Sequence, residues 1–269
     1  MSLIITVRTP EGAVMAADSR TTWSTSFKDD KSSRTTVGIH FSDTANKLFL
    51  CGRRFGVSTC GDASIQGRSI SSWMEVFQRN EFSESETLIG VVNRLGAFFA
   101  ELRPLQNVSF HVAGYEKVDS TLTLAFYEVS ARGDGTYVVS GPEHGCGAHW
   151  SGETATMSRL IKDCYIADVS EIKEVPEFSF EKIVADQVRM TRWERATVLA
   201  PSVRHYPEAS IRWRSFTLQE AIDFVLYAIR TTIATLRFQS QPVTVGEPID
   251  VLVIKPSEAF WLSKKELHL

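Results

Sequence analysis

The run His144-Gly145-Cys146-Gly147-Ala148-His149 concentrates nucleophilic and metal-ligating side chains in six residues. A thiol beside an imidazole can serve as a nucleophile pair, and a thiolate with two imidazoles can bind zinc. On an extended strand His144 and Cys146 would share one face and His149 the other, so all three converge only if the glycines bend the chain. A metal would still want a fourth ligand. We therefore read the run as a Gly-rich loop or strand edge, and expect no metal and no cofactor. A second concentration is cationic and aromatic: Arg189, Arg192, Trp193, Arg195, Arg204, Arg212, Trp213 and Arg214. Stacking rings and guanidinium groups suit nucleic acid or a partner surface. The stretch is short and the chain carries 29 basic against 32 acidic residues, net −3, so an inter-subunit or lid surface is the better reading.

Composition narrows the classes further. The 269 residues are 43% hydrophobic and 23% charged, as in ordinary globular proteins, and the length fits one large domain or two small ones. No apolar run approaches the roughly 20 residues that span a bilayer, and no basic region precedes an apolar one at the N-terminus. Neither nucleic acid nor membrane is expected as a partner. Cys51, Cys60, Cys146 and Cys164 form no CxxC pair, so reduced thiols in a cytoplasmic protein are expected.

The elements that must position any site begin almost at residue 1. Leu3–Val7 and Ala13–Ala17 read as strands around the turn Pro10-Glu11-Gly12, with Asp18-Ser19-Arg20 closing the second. Thr21–Asn46 is rich in Ser, Thr and Asp and reads as a long, irregular excursion. Lys47–Cys51 and Phe55–Cys60 form another strand pair. A helix is predicted after Asp62 as N-cap, and another from Ser83 with Glu86 completing a capping box. Strands follow at 108–114, 121–129 and 137–140, and Gly152–Lys162 reads as a helix start. Three prolines break 163–215, which we take as a partly helical insertion in a single domain. An amphipathic helix runs from Thr217 to Arg237, and strands are predicted at 249–255 and 259–262. Strands and helices come in pairs and do not alternate as βαβα. This argues for an α+β fold of two antiparallel sheets flanked by helices.

Several short stretches, in order, resemble the proteasome β-type subunits, a family of N-terminal-nucleophile hydrolases that includes HslV-type and Anbu-type bacterial relatives. They are Ser2 through Arg20 with Ala17-Asp18-Ser19-Arg20 at its end, Asn46-Lys47-Leu48-Phe49, Gly61 fourteen residues on, and Val245-Gly246-Glu247-Pro248-Ile249-Asp250-Val251. Trp150-Ser151-Gly152 is the best match to the family's Gly-Ser-Gly. Pro242 and Val245 stand where the family carries Asp and Ser. The resemblance implies a four-layer αββα sandwich and catalytic roles for Ser2, Asp18, Lys47, Gly61 and Ser151. By it, Ser2 is the nucleophile once Met1 is removed, Lys47 and Asp18 tune the site, and the Gly61 N–H forms the oxyanion hole. Thr21 and Thr59 would contact substrate.

The chemistry is coherent. A freed α-amine has a pKa of about 7.7–8.0, so it can take the proton of its own hydroxyl near neutral pH. A neighbouring ammonium would lower that pKa, and one oxyanion donor is worth roughly 3 kcal/mol in the transition state. The implied activity is peptide or amide hydrolysis through an acyl-enzyme. The implied partners are a peptide or protein substrate, further copies of the chain in a ring, and an ATPase or regulator of unknown identity. The helices at 62–79 and 83–103 are candidate ring interfaces. Two other activities fit the same resemblance: a catalytically silent ring component, and a small-molecule amidase of the same superfamily.

Overall fold

The computed structural model describes residues 2–29, 32–83, 85–162, 211–240 and 242–266. The chain divides into two compact units, Met1–Thr156 with Arg212–Leu269, and Met157–Ile211. Most of the second unit, including Cys164 and the Arg/Trp residues from 189 to 204, lies outside the described residues.

In the first unit β1 (Leu3–Thr9) and β2 (Gly12–Ala17) are buried at every position. A strand that faced water on one side would alternate; these do not, because both faces of their sheet are covered. Helix α4 (Leu218–Arg237) packs on β1 and β2 from one side, and the second sheet lies against the other. The first sheet has the order β12-β1-β2-β13-β14, with β12 (Gly147–Gly152), β13 (Asp250–Ile254) and β14 (Ala259–Ser263). The second has the order β11-β10-β9-β6-β5, built from β5 (Leu48–Cys51), β6 (Phe55–Gly61), β9 (Val108–Val118), β10 (Thr121–Ala131) and β11 (Tyr137–His144). Every pairing in both is antiparallel.

Ile4, Met15, Leu48, Leu124, Leu252 and Ile254 fill the space between the sheets. Helices α1 (Ile70–Asn80) and α2 (Leu88–Glu101) seal the other face of the second sheet through Met74, Phe77, Leu95 and Phe99, with Phe99 4.6 Å from Phe110. Each such side chain contributes about 1.5–3 kcal/mol of burial. A fourth helix, α3, spans Ala155–Lys162. The chain is thus mixed α/β with two antiparallel sheets and helices packed against them. No helix among the described residues is long and apolar enough to cross a membrane.

Three local expectations are corrected. The excursion at 21–46 holds a hairpin, β3 (Thr21–Asp29) with β4 (Ser32–Ser42), because its Thr, Val and Ile favour extended backbone despite the polar composition. Asp62 caps no helix: residues 64–69 form a two-strand turn, β7 (Ser64–Ile65) with β8 (Arg68–Ser69), and Ser69 caps α1 by accepting the Ser72 N–H. The second helix starts at Leu88, capped by Thr87, and Ser83 lies before it, its carbonyl accepting the Glu86 N–H. The capping box predicted in kind appears instead at Thr217 and Glu220 on α4.

Candidate active site

Asp18 follows the last residue of β2 and is fully buried. Its Oδ1 accepts the Leu3 N–H at 2.9 Å and the Lys47 ammonium at 2.8 Å. Its Oδ2 accepts the N–H groups of Arg20 at 3.0 Å and Gly246 at 3.1 Å. Four donors saturate the carboxylate, since two oxygens offer about four acceptor sites. The register explains why they meet. Ile4 and Asp250 both lie opposite Ala17, so the chain start and the loop before β13 flank residue 18 from either side. Ser19 reinforces this by donating its N–H to the Gly246 carbonyl and its hydroxyl to that of Pro248.

Lys47 enters just before β5 and is buried. Besides Asp18 it donates to the Arg20 carbonyl at 2.5 Å. Burial pushes its pKa below the ordinary lysine value, the Asp18 carboxylate opposes that shift, and the charge of Lys265 adds to it. An ion pair at this depth holds geometry: removing one partner strands the other charge, typically at about 3–5 kcal/mol.

Ser2 precedes β1 and is 8% exposed. Its carbonyl accepts the Glu153 N–H at 2.7 Å. Gly152, opposite Leu3, makes this approach possible: it has φ +98°, and a Cβ there would lie 1.7 Å from the Ser2 carbonyl oxygen. Gly61 ends β6 at φ +109°, with the Asn107 carbonyl oxygen 2.2 Å from where a Cβ would stand. Both positions accept only glycine without displacement of backbone.

Ser2, Thr21, Lys47, Thr59 and Gly61 all line one cleft of about 460 Å³. Asp18 stands behind Lys47. Ser151 is joined to other partners. Its hydroxyl lies 2.9 Å from His111 Nε2 and donates to Glu128 at 3.4 Å, and His111 Nδ1 lies 3.1 Å from the Thr6 hydroxyl. His111 is fully enclosed, and burial, with His149 nearby, pushes its pKa down to about 3, so it is a neutral link between the two sheets. In the His144–His149 run, His144 approaches Glu116, whereas His149 stacks on Phe126 and meets Glu143 at 2.7 Å and Arg8 at 3.2 Å. Among the described residues no group of three metal-binding side chains converges.

The site contains contributors that sequence reasoning passed over. Glu153 and Gly152 hold the Ser2 carbonyl, and only the glycine carried a signal. Gly246 was within a quoted motif, but its donation to Asp18 is a property of the loop. His111 had no signal, because a single histidine on an alternating strand looks like any other. Asp62, expected as a helix cap, instead lines the cleft.

No protein-family model matches the chain, and no curated protein matches its sequence. Among solved structures it is similar to Anbu from Hyphomicrobium sp. strain MC1, with TM-score 0.50 and 15% identity over 97% of this chain and 87% of that one. A Gly-1 mutant of the Hyphomicrobium protein gives TM-score 0.48, and Anbu (ancestral beta-subunit) from Yersinia bercovieri gives 0.49, each at 15% identity over 98% of this chain and 88% of the other. The likeness to Anbu is one of fold, and it extends over nearly the whole chain.

Proposed function

We propose that the chain is an N-terminal-nucleophile hydrolase that cleaves peptide or amide bonds through an acyl-enzyme on Ser2. The observation that carries this reading is the common cleft: Ser2, Lys47 and Gly61 line it together, and Asp18 ties Lys47 to the first N–H after Ser2. Once Met1 is removed, the α-amine of Ser2 takes the proton of its own Oγ, directly or through one water. The oxygen attacks the carbonyl carbon, and the Gly61 N–H faces the oxyanion that develops. The protonated amine then returns its proton to the leaving amine. Water, deprotonated by the same amine, releases the acyl group and restores Ser2. The Lys47 ammonium lowers the amine pKa and so raises the fraction able to act as base.

The fold belongs to the same proposal. Helix α4, the two sheets, and α1 with α2 would be the layers of an αββα sandwich, and the chain would work as a cytoplasmic homo-oligomer. Replacement of Ser2 by Ala and by Thr tests the reading. Ser2→Ala is expected to reduce hydrolysis of a fluorogenic peptide to background with an unchanged circular dichroism spectrum. Ser2→Thr, which keeps a hydroxyl on the first residue, is expected to retain it. Full activity in Ser2→Ala would discard the reading.

A further inference from the structure

Among the described residues, three charged side chains line the cleft: Arg20, Lys47 and Asp62. Two are already neutralised. Arg20 forms a two-point ion pair with Asp43 at 2.7 and 2.9 Å, and Lys47 is held by Asp18. Asp62 has no cationic partner among the described residues. Its carboxylate accepts two backbone N–H groups, those of Gln106 at 2.7 Å and of Leu105. The next cation along the chain, Arg68, is engaged with the Ser72 hydroxyl at 2.7 Å and lies 4.8 Å from the Trp73 ring.

The wall around Asp62 matches a particular chemistry. Ser64, Ser69 and Ser71 line the same cleft, the last two hydroxyls 3.1 Å apart, with Ala63 and Ile70 as small or aliphatic members and no aromatic ring among the described lining residues. Hydroxyl and carboxylate oxygens accept hydrogen bonds. An ammonium or guanidinium brings several N–H donors and the missing positive charge. An aliphatic or aromatic group there would strip water from Asp62 and give nothing back. Burial already pushes the Asp62 carboxyl above its ordinary value, which a bound cation would reverse.

We propose that Asp62 is a specificity-determining residue, and that the cleft selects substrates with an ammonium or guanidinium side chain beside the scissile amide. This rests on the hydrolase reading above for its turnover, but the binding preference can be measured without turnover.

The test compares acetyl-Ala-Ala-Lys-aminomethylcoumarin with its norleucine counterpart, which lacks the ammonium. The wild-type protein is expected to favour lysine in kcat/KM by roughly tenfold or more, the scale of one hydrogen bond to a charged group. In Asp62→Asn, which keeps an acceptor for the Gln106 N–H, the ratio is expected to fall to about one. Equal rates in the wild type, or an undiminished preference in Asp62→Asn, would overturn the assignment. Calorimetric binding of acetyl-Ala-Ala-Lys-amide and the norleucine peptide to Ser2→Ala separates the two claims. A lysine preference in binding that Asp62→Asn removes supports the assignment even if the wild type hydrolyses neither peptide, which would count against the hydrolase alone. No preference in binding rejects the assignment whatever the activity.

Discussion

Asp18 organises the site at the scale of single residues. Its four donors come from the chain start, from its own strand end, from a buried lysine and from the loop before β13. A carboxylate so saturated fixes the relative position of four segments, and its pairing with Lys47 was legible because both residues sit in short stretches of recognisable spacing. His111 shows the opposite case. Nothing in its neighbours along the chain signals that it will bridge Thr6 and Ser151 between two sheets. Its burial has a consequence for pH. Unfolded, the ring takes a proton near pH 6.5; folded, only near 3. The unfolded chain therefore binds the extra proton throughout that window. The contribution of His111 to stability is complete above pH 6.5 and is lost as the pH falls toward 3. Replacement by Gln, which keeps hydrogen-bonding capacity but does not titrate, is expected to flatten the dependence of the urea midpoint on pH across that range. An equally steep dependence in His111→Gln would show that another group carries it.

At the scale of elements, the strands that frame the site were readable because their apolar runs are unbroken and their turns carry Gly and Pro. Helix α4 was readable from its stripe of apolar residues, whereas the capping role of Thr217 appears only in the structure. The starts of α1 and α2 were not. Asp62 and Ser83 have the right side chains for caps, yet each precedes its helix by several residues, since Ser69 and Thr87 cap equally well and sit where the packing begins. The hairpin at 21–42 was hidden by polar composition, which signals exposure and not backbone conformation. The Thr217 cap offers a quantitative check. Its hydroxyl accepts the Glu220 N–H, while the Glu220 carboxylate takes the Thr217 N–H at 2.7 Å and its hydroxyl at 3.0 Å. Thr217→Ala is expected to cost about 1 kcal/mol in chemical denaturation and to leave hydrolysis intact, because α4 packs on the face of the first sheet away from the second. A loss beyond about 2 kcal/mol, the upper end for such caps, would mean that the residue does more than close the helix.

At the scale of the whole molecule, two sheets meet face to face, and the residues between them are shut off from water. Cysteine chemistry follows from burial in these layers, Cys60 between the sheets and Cys51 between the second sheet and its helices. Cys51 and Cys60 are buried, and burial pushes both thiols up to about 12, whereas Cys146, in the turn between β11 and β12, is partly exposed. Of these three, Cys146 is expected to react first with iodoacetamide under native conditions, as peptide mapping would show; modification of Cys51, fully buried in the layer between the second sheet and its helices, at a similar rate would mean that this layer opens readily. The pairing of strands with strands and helices with helices along the chain foretold the two-sheet architecture, because consecutive strands joined by short turns pair antiparallel. The second unit had no such ordering principle in its sequence.

The central claim is a competent nucleophile at the chain start, and intact-mass spectrometry tests it most directly. The purified protein is weighed before and after incubation with a serine- and threonine-directed epoxyketone or acylating trap, and the adduct is mapped by peptide sequencing. The expected result is a mass lacking Met1 and a single adduct on Ser2 that is absent from Ser2→Ala. A mass retaining Met1 with no adduct, or an adduct confined to Cys146 or another side chain, would contradict the claim.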